Sequence, residues 1–476
     1  AVDDVMVPAT VNERLPGPRG PVATARAMRG LTSDPCPALD DAARRYGPTF
    51  SVGTGPLRVV IVGDPSHLTH LFATPNNAFR WGHWLNVLRY FVGDGSMIVS
   101  DGDEHRRRRA QVQPGFARRH LDDWIPMIVA ETDRTIDNEV LGRDGVVDLL
   151  PIERMLVLRI LLNVLFGAGL NDRVEEIGHL LEPAKEYLEQ SALRQIPHPV
   201  PFTRRSRARA TRQRLHHLVD DEMTRRRNRP PHPSADLLDS LLAGTGTDHL
   251  SDTEIRDQVI TLIGAGYDTT TSALAWTTLR AAAETEIWAK LRAEADEVLV
   301  GELGPSTMRH LTYTRAVVRE ALRLHPAGVF SPRQAVQEVH IGPYTIPRRA
   351  MILWSPYLAG RDPGAWGDPL SFRPERHLDG DEETAALREA AWAPFGRGPR
   401  RCIGFALAQM ELTLAIARLA QRVDVELEAP EIPPPYGMVV NRPSGGVRVL
   451  TRRPHVDVAS NARHHVPPVA GPHARG

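Results

Sequence analysis

From about Leu121 to Glu297 apolar residues recur three and four positions apart among Ala, Leu, Arg and Glu, the period of helices that bury one face. Strand-like runs flank this stretch. Thr49-Phe-Ser-Val-Gly53 and Arg58-Val-Val-Ile-Val62 are β-branched and end at Gly63-Asp-Pro65, which predicts two short strands and a turn into a helix. Ala335 to Ile346 and Val447 to Leu450 read as further strands, with a loop at Pro430 to Pro435. Leu15-Pro-Gly-Pro-Arg-Gly-Pro21 cannot be helical, because each proline restricts itself and its predecessor, so residues 1–22 are expected to form an extended strap. Arg204 to Pro233 is Arg-rich and is expected to be a solvated helix face followed by a loop, and residues 454–476 a disordered tail. No internal repeat is evident, and the pattern is mainly α (α+β).

Composition narrows the function classes. Lys plus Arg and Asp plus Glu both number 58, which disfavours a nucleic-acid partner. The chain is 42% hydrophobic, enough for a sizeable core, yet no apolar run reaches the roughly 18 residues of a membrane span, so no anchor is expected. Ala1 to Arg29 lacks the basic start and apolar stretch of a signal peptide, which gives a cytoplasmic expectation. The cysteines are Cys36 and Cys402. A zinc or iron–sulfur site would need more thiolates or nearby histidines at ligand spacing, so a metal bound through sulfur here has one sulfur ligand.

Cys402 stands in Ala393-Pro-Phe-Gly-Arg-Gly-Pro-Arg-Arg-Cys-Ile-Gly404, just before a helical run. Glycines at 396, 398 and 404 let main chain approach a flat ligand. The helix N-terminus, Arg400 and Arg401 favour the thiolate. Such a sulfur can ligate iron and push electron density toward O–O cleavage. By itself the feature is also compatible with a buried free cysteine in a turn.

The pattern Phe395-x-x-Gly398-x-x-x-Cys402-x-Gly404 resembles the haem-binding signature of cytochrome P450s, and the wording of the chain resembles soluble actinobacterial members. The resemblance runs from the proline-rich strap to the strand near Leu450. It implies haem b (iron protoporphyrin IX) ligated by Cys402, and the P450 fold over residues 23–453. That fold is a large helical domain with a smaller β-rich N-terminal region, the haem sandwiched between distal and proximal helices. Glu320 and Arg323, one helical face apart by spacing alone, would join Arg376 of Phe372-Arg-Pro-Glu-Arg376 in a Glu-Arg-Arg cluster that locks the cysteine loop. His377 stands where phenylalanine is common.

Thr261 to Trp276 is a helix with two glycines and a polar Asp-Thr pair at its centre, explicable by tight packing and by Thr269 bonding its own backbone. Ala265-Gly266-x-Asp268-Thr269 is also similar to the distal motif of the family, where a local break faces the haem. On that reading Asp268 and Thr269 relay protons and Ala265 lies against the cofactor with Phe395 and Gly404. His105 and Arg109, four apart on one face, together with Arg333 and Arg400, match the residues that bind haem propionates.

The function implied is a monooxygenase inserting one atom of O2 into a hydrophobic molecule, terpenoid, fatty acyl or polyketide-like. Tentative pocket walls are Phe79, Val329, Phe330, Met438 and Val439. No flavin or dinucleotide domain follows the cysteine loop, so electrons are expected from a ferredoxin-type donor with its reductase, attracted by Arg397, Arg400, Arg401 and Arg106 to Arg109. A monomer is expected. The rivals are a haem-thiolate peroxygenase or isomerase, disfavoured by the Asp268-Thr269 pair, and a non-catalytic haem sensor.

Overall fold

Strand-forming runs from residues 49–80 and 331–354 meet in one sheet. In the computed structural model, Val59–Val62 lies antiparallel to Thr49–Val52 and parallel to Met351–Trp354, and the sheet continues through Ser331–Ala335 to Phe79–Arg80. Val60, Ile61 and Val62 are all buried. Coverage of both faces explains why this strand is a continuous apolar run and not an alternating one. The structure describes residues 13–454 except 56–57, 82–87, 144, 191–194, 196–199, 230–235, 245–247, 379 and 381. Apart from Pro454, the expected tail lies outside the described residues.

The rest is mainly helical. Asp252–Ala282 starts at a reciprocal cap, in which Ser251 and Glu254 bond each other's backbone N–H groups. It is buried on nearly every side, which accounts for its all-round apolar sequence. It packs across Leu149–Phe166 and Phe405–Arg422, with Trp276, Leu274, Ile160 and Ile416 sharing one core. A second core joins the helices Val174–Leu188 and Arg204–Arg227 to the same long helix. Among the described residues no helix is long and apolar enough to cross a membrane.

Two expectations need correction. The strap runs along the sheet, with Ser51 N–H donating to Pro16 O at 2.8 Å, but a helix already begins at Pro21. Proline at a first helical position forfeits no hydrogen bond, so it starts this helix and does not block it. The Arg-rich helix is not simply solvated. Arg226 is buried against Glu222, Asp236 and Asp239, and Arg205 stacks on Tyr90 at 3.9 Å.

Candidate functional site

The cysteine loop is closed by its own backbone. Cys402 N–H donates to Phe395 O at 2.9 Å, and Gly396 takes a φ of +66° where a Cβ would press on the Trp354 ring. Gly404 precedes the first turn of Phe405–Arg422. Cys402 keeps solvent-accessible surface, although protein crowds it closely enough that desolvation raises its thiol, against the Gly404 N–H, Arg109 and Arg401. The expectation that Arg400 favours the thiolate is therefore corrected. Arg400 is engaged by Ser100 O at 2.6 Å, Asp101 at 3.1 Å and the face of Trp81 at 4.0 Å, while Arg401 lies over Phe405.

Behind the loop, Glu320 accepts from Arg323 Nε and Nη2 (both 2.8 Å), Arg376 Nε (2.9 Å), Arg373 N–H (2.8 Å) and His377 Nε2 (2.9 Å). The side chains of Glu320, Arg323, Arg376 and His377 are at most 4% exposed. Desolvation alone would raise the Glu320 carboxyl, but His377 and Arg323 hold it at about 2. Burial lowers His377, against the Glu320 carboxylate that raises it. The spare guanidinium nitrogens clip the passing chain at Gly360, Trp366, Asp368, Pro369 and Ser371. His377 is thus a fourth member of the cluster, which its sequence position alone does not reveal.

His105, Arg109, Arg333 and Arg400 repel one another. Desolvation, then Arg400 and Arg109, push His105 down to about 3; desolvation and Arg400 bring Arg333 to about 9. Arg333 is 4% exposed, caged by the rings of Phe72, Phe79 and Trp81 at 5.0–5.5 Å. The Nε atoms of Arg333 and Arg400 are buried without a hydrogen-bond partner. A buried donor left unpaired costs about 1–3 kcal/mol, and an anionic ligand relieves both this cost and the mutual repulsion. Among the described residues no group of His, Cys, Asp or Glu side chains forms a multi-ligand metal site. The cations, of which Arg109 lies within electrostatic reach of Cys402, therefore fit an anionic group at the cysteine loop.

The long helix carries the remaining candidate residues. It runs unbroken from Asp252 to Ala282, so the local break implied by the resemblance is absent. Thr269 Oγ1 donates to Ala265 O at 2.6 Å, a bond compatible with continuous helix. Cβ atoms at Gly264 and Gly266 would stand 3.1 Å from Phe91 and Leu161, so close packing accounts for both glycines. Ala265 is exposed and Thr269 half-buried although Leu262, Ile263, Tyr267 and Asp268 are buried, which marks an open stripe along one face. Asp268 points to Arg442, whose Nε reaches Oδ1 at 3.1 Å and whose Nη2 holds Oδ2.

Of the tentative walls, Phe79 sits in the aromatic cage, and Val329 is 2% exposed in the core of the N-terminal helices. Neither offers free surface, because both fill cores beneath the sheet, so the wall assignment narrows to Phe330, Met438 and Val439. Sequence reasoning missed Arg442, Glu189, Asp101 and Trp81. A lone arginine in Val439-Val-Asn-Arg-Pro443 is the one signal that pointed to any of them.

A cytochrome P450 family model matches residues 18–449. The chain is 32% identical to cyclooctat-9-en-7-ol 5-monooxygenase of Streptomyces melanosporofaciens, over 79% of this chain and 82% of that one. It is 31% identical to putative cytochrome P450 139 of Mycobacterium tuberculosis, over 81% and 90%. Pentalenene oxygenase of Streptomyces avermitilis is 30% identical over 86% and 91%. The retinoic acid bound cyanobacterial CYP120A1 structure superposes with a TM-score of 0.80 at 24% identity, covering 90% of this chain and 96% of that one, and so shares the fold. The chain belongs to the cytochrome P450 family, as a monooxygenase whose cofactor is protoporphyrin IX haem.

Proposed function

We propose that this monooxygenase oxidises a terpenoid-like hydrophobic molecule, with Cys402 as the iron ligand and His105, Arg109, Arg333 and Arg400 holding the propionates. The observation that carries the haem placement is the pair of buried, unpartnered Nε atoms on Arg333 and Arg400. Relatives named for cyclooctat-9-en-7-ol and pentalenene put terpenoids ahead of fatty acyl or polyketide substrates. When bound, the haem supplies the iron that activates dioxygen, with the thiolate lending it electron density.

The protein's own part is to orient the substrate, exclude water and deliver protons. Phe395 and Gly404 shape the sulfur side, and Ala265 keeps the other side free of bulk. Phe330, Met438 and Val439 give the substrate an apolar wall. Thr269 can turn its hydroxyl from Ala265 O into the open stripe. Asp268 has both oxygens on Arg442, so carrying a proton requires it to exchange one of those bonds for Thr269 or a water.

Electrons come from a redox partner in this family, and we assign a ferredoxin-type donor with its reductase. The docking set is smaller than the sequence suggested. Arg400 and Arg109 serve the interior, and Arg107 and Arg108 are tied to Glu254. Arg397 bonds Glu389 O and Arg106 pairs with Asp103, so we take Arg401, exposed beside the cysteine loop, as the main contact. Arg401→Glu is expected to slow reduction and flatten its salt dependence; an unchanged rate removes the docking assignment.

The deciding experiment is a reduced carbon monoxide difference spectrum, followed by titration with pentalenene, cyclooctat-9-en-7-ol and fatty acids. A thiolate-type band and a terpenoid-induced spin-state shift are expected. A band of nitrogen-ligated haem in folded protein rejects Cys402, and a shift with fatty acids alone rejects the terpenoid reading.

A further inference from the structure

The strands Pro435–Tyr436 and Arg442–Pro443 pair as a short hairpin, with Tyr436 opposite Arg442. Its tip cannot hold itself by strand pairing. Gly437 takes a φ of +116°, and a Cβ there would lie 2.0 Å from Val440 O, so the turn closes only around glycine. The next three amides all point to one carboxylate far away in sequence. Glu189, at the C-terminal end of the helix Val174–Leu188, accepts Met438 N–H at 2.6 Å and Val439 N–H at 3.2 Å on Oε2, and Val440 N–H at 3.2 Å on Oε1. The same Oε1 accepts from Arg442 Nη2 at 3.1 Å.

We infer that Glu189 is a positioning residue of the substrate pocket, fixing the Met438–Val440 wall and the guanidinium that holds Asp268. The inference rests on the reading of this tip as a pocket wall. An ionised carboxylate is the one side chain able to accept so many donors at once without donating in return. The other side of the tip is anchored separately. Asn441 N–H donates to Ala327 O at 2.8 Å, and Asn441 O accepts Trp276 Nε1 at 2.9 Å and the Ser272 hydroxyl. Asn441 therefore fixes the root of the tip to the long helix, and Glu189 fixes its free edge. Arg442, shared between Glu189 and Asp268, joins that edge to the acid of the long helix.

The test uses the haem-loaded full chain and its Glu189→Ala and Glu189→Gln variants. Hydrogen exchange at residues 438–440 is expected to be about ten-fold faster in the alanine variant and intermediate in the glutamine variant, which keeps one acceptor oxygen. Spectral titration should show 4-phenylimidazole bound about ten-fold more weakly by Glu189→Ala, with imidazole, which needs only the iron, unchanged. Unchanged exchange overturns the inference. If Met438→Ala and Val439→Ala alter phenylimidazole binding while Glu189→Ala does not, the wall stands and the positioning role falls. If none of the three alters it, the wall reading itself is wrong and the inference falls with it. Should the alanine variant fail to load haem, the glutamine variant gives the same comparison at reduced amplitude.

Discussion

On the proximal side Glu320 is sealed among the buried side chains of Arg323, Arg376 and His377 with the Arg373 amide completing the set, and the arginines it pairs spend their remaining nitrogens on carbonyls of the passing chain. On the distal side Asp268 and Glu189 share a single guanidinium, Arg442, with Ala265 and Thr269 accessible close by. The two clusters use the same chemical groups. The proximal one is sealed and satisfied, which suits a scaffold that must hold a sulfur still. The distal one is divided between separate elements, so one bond can exchange while the other persists, which suits the proton delivery and substrate admission we propose for it.

Removing the central charge tests the contrast most strongly. Glu320→Gln should cost about 3–5 kcal/mol, since it leaves buried cations under-compensated; a denaturant-unfolding loss under 1 kcal/mol would show the lattice to be dispensable. Acid should act through the same carboxyl. Held at about 2 against an ordinary 4.5, Glu320 contributes stability that is complete above pH 4.5 and disappears as pH falls toward 2. The amount is ~3 kcal/mol, and the gap between the stability curves at pH 7 and pH 3 should narrow in Glu320→Gln without closing, because Glu254 is also held at about 2. Arg442→Met should cost less, about 1–3 kcal/mol. A loss as large as that of Glu320→Gln would erase the distinction between the two sides.

Arg333→Met probes the haem edge. The cation is buried, repelled by Arg400 and left with an unbonded Nε in the protein alone, so the variant should lose haem about ten-fold faster while its haem-free form is no less stable. Equal haem-transfer rates for wild type and variant would detach Arg333 from the cofactor. The smallest effect concerns Glu153, which donates nothing to either cluster. Desolvation raises it to about 8, against a hydrogen bond from Thr278. The unfolded chain ionises near 4.5 and the folded one near 8, so stability falls as pH rises between them. From pH 6 to 7 this is ~1 kcal/mol. Glu153→Gln should flatten that slope in part, because Glu411 is raised to about 8 in the same way; an unaltered slope would mean that Glu153 is charged in the fold.

The helical middle, the strand pair before Pro65 and the cysteine loop were legible because each has a local cause: period, β-branching or glycine placement. The strap's end was misplaced by a residue or two because proline both forbids and starts helices. The interior role of Arg226, the fourth place of His377 in the Glu320 cluster and the burial of Val329 were not legible, since each depends on what a distant element brings opposite. Arg400 was picked out as a candidate propionate ligand, yet its partners Asp101 and Trp81 come from about 300 residues away.

The sequence by itself determined the family and picked out the candidate sulfur ligand and the candidate groups of the haem site, because those rest on residue type at fixed local spacing. Only the tertiary structure decided how they are bound to one another. It ties Asp268 to Arg442, Arg442 to Glu189 and Glu189 to three backbone amides of a hairpin tip. Hydrogen bonds between residues 174 to 253 positions apart leave no periodicity in the chain, and the backbone amides that donate to Glu189 carry no sequence signal at all.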